Sequence, residues 1–140
     1  MDQVNRRQAR EQAFALLFEL SFHGEESLQS ILNVRDEQDD TPEPDHFAIK
    51  LASCVQENLP ALDETITAKL KPGWKLSRIS RASHIILRLA ICELCYFDDI
   101  PVGATINEAV ELAKTYAEDD APKFINGMLG AIAREQESDA

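Results

Sequence analysis

An all-α fold of about seven helices is what this chain predicts, and three features of its 140 residues carry that expectation. Apolar residues recur at three- and four-residue intervals in segment after segment, and nowhere do they alternate with polar ones at the two-residue period of a half-buried strand. The stretch Ser80 to Phe97, SRASHIILRLAICELCYF, is apolar almost all the way round a 3.6-residue helix, the mark of a segment walled in by neighbours. Prolines and turn dipeptides punctuate the rest of the chain into helix-length pieces. With 44% hydrophobic residues, the whole of 1–140 is read as one domain with a single core.

The first helix is expected over residues 5–22, with Asn5 as its N-cap. Ala9, Ala13, Leu16, Leu17 and Leu20 share the face assigned to the core, and Arg7, Arg10, Phe14 and Phe18 fall on an adjacent strip. Three arginines in a first turn oppose the helix dipole by a few tenths of a kcal/mol each, roughly, so stability alone does not select them. Two readings of the strip are open: a solvated arginine cluster beside two core phenylalanines, or a surface where guanidinium groups take phosphates and rings stack on splayed RNA bases.

Glu25–Val34 reads as a short second helix, and Arg35–Asp45, RDEQDDTPEPD, as a solvated acidic loop without the oxygen spacing or central glycine of a calcium loop. Phe47, Leu51, Cys54 and Val55 mark the buried face of a third helix from His46 to Asn58. Pro60 restarts the chain as a fourth, carrying Leu62, Ile66 and Leu70 up to the Pro72-Gly73 turn. Trp74, next in line between Lys71, Lys75 and Arg78, could stack on a base, but a single tryptophan after a tight turn reads first as a core anchor. In the central helix Arg88 and Glu93 are expected to meet an opposite charge or a gap in the packing, because burying an unpaired charge costs several kcal/mol. Thr105-Ile106-Asn107-Glu108 has the form of a capping box and is expected to open the sixth helix. The seventh is expected from about Ala121 to Arg134, with Ile125, Met128, Leu129 and Ile132 inward and Phe124 to one side, next to Lys123.

Composition narrows the function. No run is long enough to cross a bilayer, which takes roughly 20 apolar residues, and the polar start has no signal-peptide h-region, so a cytoplasmic protein is expected. The net charge of -11 opposes a polyanion partner on its face, but six of the 14 basic residues, Lys69, Lys71, Lys75, Arg78, Arg81 and Arg88, stand between positions 69 and 88 with no acid among them. Cys92 and Cys95 match CxxC but lie within an apolar helix with no second ligand pair, and read as small core residues. No phosphate loop, nucleophile elbow, metal motif or histidine pairing is found, so neither enzyme nor cofactor is expected.

Four segments in order, Arg6-Arg7-Gln8-Ala9-Arg10, Ile86 to Leu94 (ILRLAICEL), Ile106 to Lys114 (INEAVELAK) and Lys123 to Leu129 (KFINGML), resemble the NusB family of bacterial transcription antitermination factors, and the likeness spans the chain. The resemblance implies two packed helical bundles. It also implies a non-catalytic role: binding the boxA element of nascent ribosomal RNA together with NusE, a ribosomal protein of the small subunit, so that RNA polymerase passes terminators. It places RNA contacts at Arg6, Arg7 and Arg10, with Phe14 and Phe18 on the same strip and Lys123 and Phe124 as a second part of the surface. Arg81, His84 and Arg88 are candidates for the NusE interface. Phe18 stands where the family commonly has tyrosine, which keeps a stacking ring and loses a phenol. Two other readings compete: a helical protein adaptor that never touches RNA, suggested by the acidic charge, and the NusB-like domain found in front of some ribosomal RNA cytosine methyltransferases, which would require a methyltransferase domain.

Overall fold

The computed structural model describes residues 5–22, 28, 30, 32 and 45–138. Among them lie α1 (Arg6–Leu20), α2 (His46–Glu57), α3 (Leu59–Lys69), a 3-10 turn (Leu76–Arg78), α4 (Arg81–Tyr96), α5 (Val102–Tyr116) and α6 (Ala121–Ser138), and no strand. The all-α expectation holds. Of the short helix expected over 25–34, Leu28, Ser30 and Leu32 are helical and the remaining positions lie outside the described residues, as does the acidic loop except for Asp45. The chain divides into two compact units, residues 1–57 and 58–140.

In the first unit α1 packs on α2. Asn5 caps α1 as expected: its side chain accepts from the Gln8 N–H at 2.8 Å and the Gln8 side chain accepts from the Asn5 N–H at 3.3 Å. This reciprocal box satisfies two of the amide donors that a helix start leaves orphaned, at an end with no acid to balance its arginines. Ala9, Ala13, Leu16, Leu17 and Leu20 are buried as read from the sequence. On α2 the buried positions are Ala48, Leu51, Ala52 and Val55, while Phe47 and Cys54 are only half-buried. Leu16 and Leu51, wholly enclosed, contribute roughly 2 kcal/mol each. Asp45 ties the helices together, its N–H donating to Gln12 Oε1 at 2.7 Å and its carboxylate accepting from the Phe47 N–H at 2.9 Å.

The second unit is built around α4, which packs against α3, α5 and α6. Its two interior charges are handled differently. Arg88 meets an opposite charge, Asp63 of α3, through two hydrogen bonds of 2.9 and 2.7 Å. Glu93, only 3% exposed, instead accepts from the hydroxyl of buried Thr105 at 3.0 Å. That bond corrects the expected capping box: α5 begins at Val102, with Pro101 in the cap position and no side-chain cap, and Thr105 serves a buried carboxylate one turn inside the helix. Cys92 is fully buried, but Cys95, expected in the core with it, is exposed and accepts from Gln136 Nε2 at 3.1 Å. Trp74 is likewise not a core anchor, with 49% of its surface exposed.

Candidate nucleic-acid interface

The strip on α1 divides by depth. Arg6 and Arg7 are exposed, Phe18 is half-buried, and Arg10 and Phe14 are buried, at 6% and 5% exposure. The reason is the helical wheel: Arg10 and Phe14 are four residues apart and flank the core-facing Ala9 and Ala13, so α2 covers them along with the apolar stripe. Phe47 of α2 organises the basic end, with the Arg6 guanidinium 4.0 Å from its ring centroid and that of Arg10 at 5.9 Å. Such contacts hold a guanidinium through its π face without consuming a carboxylate. Along the same helix face the rings form a ladder, Phe14 stacked on Phe18 at 5.6 Å and Phe18 edge-on to Phe22 at 5.2 Å. Phe22 is 61% exposed and was missed by sequence reasoning, although the 14, 18, 22 spacing is legible as an i, i+4 series.

In the second unit two of the basic residues before Trp74, Lys69 and Lys71, line a cleft of about 510 Å³ between the end of α3 and α6. Lys69, Lys71, Trp74, Lys123 and Phe124 line it together with Asp120. Lys123 is exposed and Phe124 half-buried, so the pair expected from the sequence reaches the surface. Trp74 owes its position to a type II turn: Pro72 supplies the fixed φ, Gly73 the positive φ of 86°, and the Trp74 N–H closes on the Lys71 carbonyl at 3.0 Å. The lining of the cleft includes Gly127, an exposed mid-helix glycine that costs about 1 kcal/mol relative to alanine although a Cβ there would meet no atom within 4 Å. Trp74 and Phe124 also line a second cleft of about 340 Å³ on the side of Ser80 and Glu118. There the Glu118 carboxylate accepts from the hydroxyls of Ser80 at 3.0 Å and Ser83 at 2.8 Å, fixing the start of α4 to the segment that leads into α6. Burial pushes the Glu118 carboxyl up, but these hydrogen bonds outweigh it and hold its pKa below the ordinary value.

The three candidates on α4 are not equivalent. Arg81 is exposed, while His84 and Arg88 are half-buried and converge on Asp63, His84 Nε2 lying 2.7 Å from Oδ1. Burial pushes the His84 pKa down, the hydrogen bond to Asp63 pushes it up by less, and the Arg88 charge lowers it further. The imidazole is therefore neutral at pH 7, and Nε2–H donates to the carboxylate. Asp63 is raised by burial and lowered more by its bonds from Arg88 and His84, so it stays ionised. Two of the three residues expected to face the partner are thus tied to Asp63 in an internal triad.

A family model described as the NusB family matches residues 7–134 of this chain, running across both units. The transcription antitermination protein NusB of Acetivibrio thermocellus is 40% identical over 131 residues, 94% of this chain and 90% of that one. Among solved structures, NusB of T. maritima superposes with a TM-score of 0.83 at 37% identity, covering 96% of this chain and 94% of that one. A structure of antitermination factors NusB and NusE in complex with dsRNA gives 0.77 at 26% identity, over 93% and 96% of the two chains. Sequence segments, helix order and fold all lead to one assignment: the chain belongs to the NusB family.

Proposed function

We propose that this protein is a transcription antitermination factor that binds the boxA element of nascent ribosomal RNA together with NusE and so supports processive transcription of ribosomal RNA by RNA polymerase. The observation that carries the reading is the start of α1, where Arg6 and Arg7 are exposed, Arg6 over the Phe47 ring, on a helix whose later turns carry a ladder of rings, in a chain of net charge -11. A basic aromatic strip on an acidic body is a local landing place for a polyanion, since at physiological salt a ligand feels charges within a Debye length of about 8 Å. Arg6, Arg7 and Phe18, with Lys123 and Phe124 of α6, make the direct RNA contacts, and Arg10 and Phe14 hold Phe47 and Phe18 in place from beneath. Arg81, with the His84–Asp63–Arg88 triad behind it, faces NusE. That a relative in this fold has been crystallised with both NusE and dsRNA supports pairing the two partners here. The role is binding rather than catalysis, in the cytoplasm, by one module of seven helices in two bundles, the seventh being the segment around Leu28 and Leu32. None of the described helices is long and apolar enough to cross a membrane.

The test is a titration of single-stranded boxA RNA with the wild type and an Arg6→Ala/Arg7→Ala variant, with and without NusE, at two salt concentrations. The variant is expected to bind about 10-fold more weakly, with a salt slope smaller by about 0.7 per lost phosphate contact. Equal affinity of variant and wild type, with RNA retained only through NusE, would favour a protein adaptor that does not touch RNA, the reading to which the acidic charge points.

A further inference from the structure

We infer that the hydrogen-bonding groups which the His84–Asp63–Arg88 triad leaves unused are a docking point for main-chain peptide groups of the protein partner, an inference that rests on the reading above that this face of α4 meets NusE. Arg81, His84 and Arg88 are spaced i, i+3 and i+7 on one face of α4, so the triad continues the stripe that exposed Arg81 begins. The triad is internal but not sealed: the side chains of His84, Arg88 and Asp63 keep 19%, 21% and 26% of their surface exposed. Asp63 holds Arg88 by one edge only. Nε donates to Oδ1 at 2.9 Å and Nη2 to Oδ2 at 2.7 Å, which commits two of the five guanidinium N–H donors. The three left over, both on Nη1 and the second on Nη2, form the end-on fork, and among the described residues they have no hydrogen-bond partner. Because Asp63 grips the other edge, the plane of that fork is fixed before any partner arrives. His84 has the opposite polarity to offer. Its Nε2–H donates to Asp63 at 2.7 Å, so Nδ1 is an acceptor, and it too has no partner among the described residues.

These unused groups select the occupant. With His84 neutral, the charges of Arg88 and Asp63 cancel, so the cluster offers donors without net charge and gives an RNA phosphate no long-range attraction. A phosphate only accepts, and would leave Nδ1 unserved. A carboxylate has the same fault and adds repulsion from Asp63. A peptide group carries one acceptor and one donor, the complement of the fork and of Nδ1, and a segment with unpaired main-chain groups, such as a helix end or a sheet edge, supplies several. Arg81 then contributes charge to the contact and the triad contributes direction, with Asp63 as the positioning residue.

The guanidinium reports on itself. The full-length protein with isotopically labelled arginine is followed by nitrogen NMR, the Arg88 resonances being identified by their loss in Arg88→Lys, and NusE is added to saturation. The Nη1 signals are expected to shift and sharpen, since a hydrogen-bonded fork no longer rotates about Cζ–Nη1, while Nε, already held by Asp63, moves little. Arg88→Lys keeps the charge and loses the fork, so it is expected to bind NusE about 10-fold more weakly, by the same factor at low and high salt, with RNA affinity in the absence of NusE unchanged. If Nη1 is unchanged at saturation with NusE, the inference is overturned, and a weakened Arg88→Lys then reports only the lost tie between α3 and α4; NusE binding that Arg81→Ala weakens would leave the reading of this face standing. If boxA RNA without NusE shifts Nη1 and Arg88→Lys loses RNA affinity, the unused groups serve nucleic acid and the inference fails. If the wild type binds no NusE, the inference and the reading of this face fail together.

Discussion

Arg6 at the start of α1 and Arg88 in the middle of α4 carry the same group into contrasting surroundings. Arg6 rests 4.0 Å above the Phe47 ring with its side chain exposed, whereas Arg88 is half-buried and gripped by Asp63 through two hydrogen bonds. A guanidinium held on a ring keeps hydrogen-bonding capacity for an incoming phosphate. One bonded bidentately to a carboxylate has committed two of its five N–H donors and its charge to that partner, and its removal orphans the partner. Cationic residues in this family member therefore divide into those that present charge and those that neutralise it, and sequence position does not separate the two kinds.

The comparison is broken most forcefully at the triad. Asp63→Ala leaves Arg88 and His84 without their shared acceptor and is expected to cost about 2 kcal/mol, between the values for exposed and buried pairs, read as a lower urea midpoint at unchanged slope. RNA affinity should not move; if it falls about 10-fold in a folded variant, the triad belongs to the RNA surface after all. The converse comes next. Arg6→Ala/Arg7→Ala should weaken RNA binding about 10-fold and leave the urea midpoint within about 0.5 kcal/mol of wild type, since exposed substitutions rarely do more. Arg10→Ala, at a buried arginine near Phe47, should do the reverse of its neighbour Arg7→Ala, lowering stability by about 1 kcal/mol and binding only through the displaced ring.

Acid provides the smallest effect. His84 takes up a proton less readily in the folded state than its ordinary pKa of 6.5 would allow, so the unfolded chain binds more protons and stability declines as pH falls below 6.5 towards the folded value. Asp63, also lowered, adds a loss in the same direction below its ordinary 3.8. A His84→Gln variant should flatten the urea midpoint between pH 7.5 and 5.5 (about the span of the histidine titration). An unaltered slope would show that the imidazole does not titrate against Asp63.

Periodicity made most of the helices legible, because a stripe such as Ala9, Ala13, Leu16, Leu17 and Leu20 has only one way to be buried. Polar residues were harder to read. Thr105 satisfies both a local capping pattern and a distant buried carboxylate, and the second wins because Glu93 is 3% exposed and needs a donor. Nothing in the segment around Thr105 announces that Glu93 lies beside it. The same holds for the candidate site: the structure leaves Arg6, Arg7, Lys123 and Phe124 accessible, but the burial of Arg10 and Phe14 depends on how α1 packs on α2, and the exposure of Trp74 on a turn whose residues were visible but whose direction was not.

The Pro72-Gly73 turn has an optical corollary. The chain's single tryptophan is half-exposed where that turn holds it, so its emission should already be red-shifted in the native protein and move little when urea unfolds the chain, and the turn, once loosened, should let the indole relax before the global transition. Loosening the hinge with Pro72→Ala should make that early emission change visible while leaving the indole itself untouched.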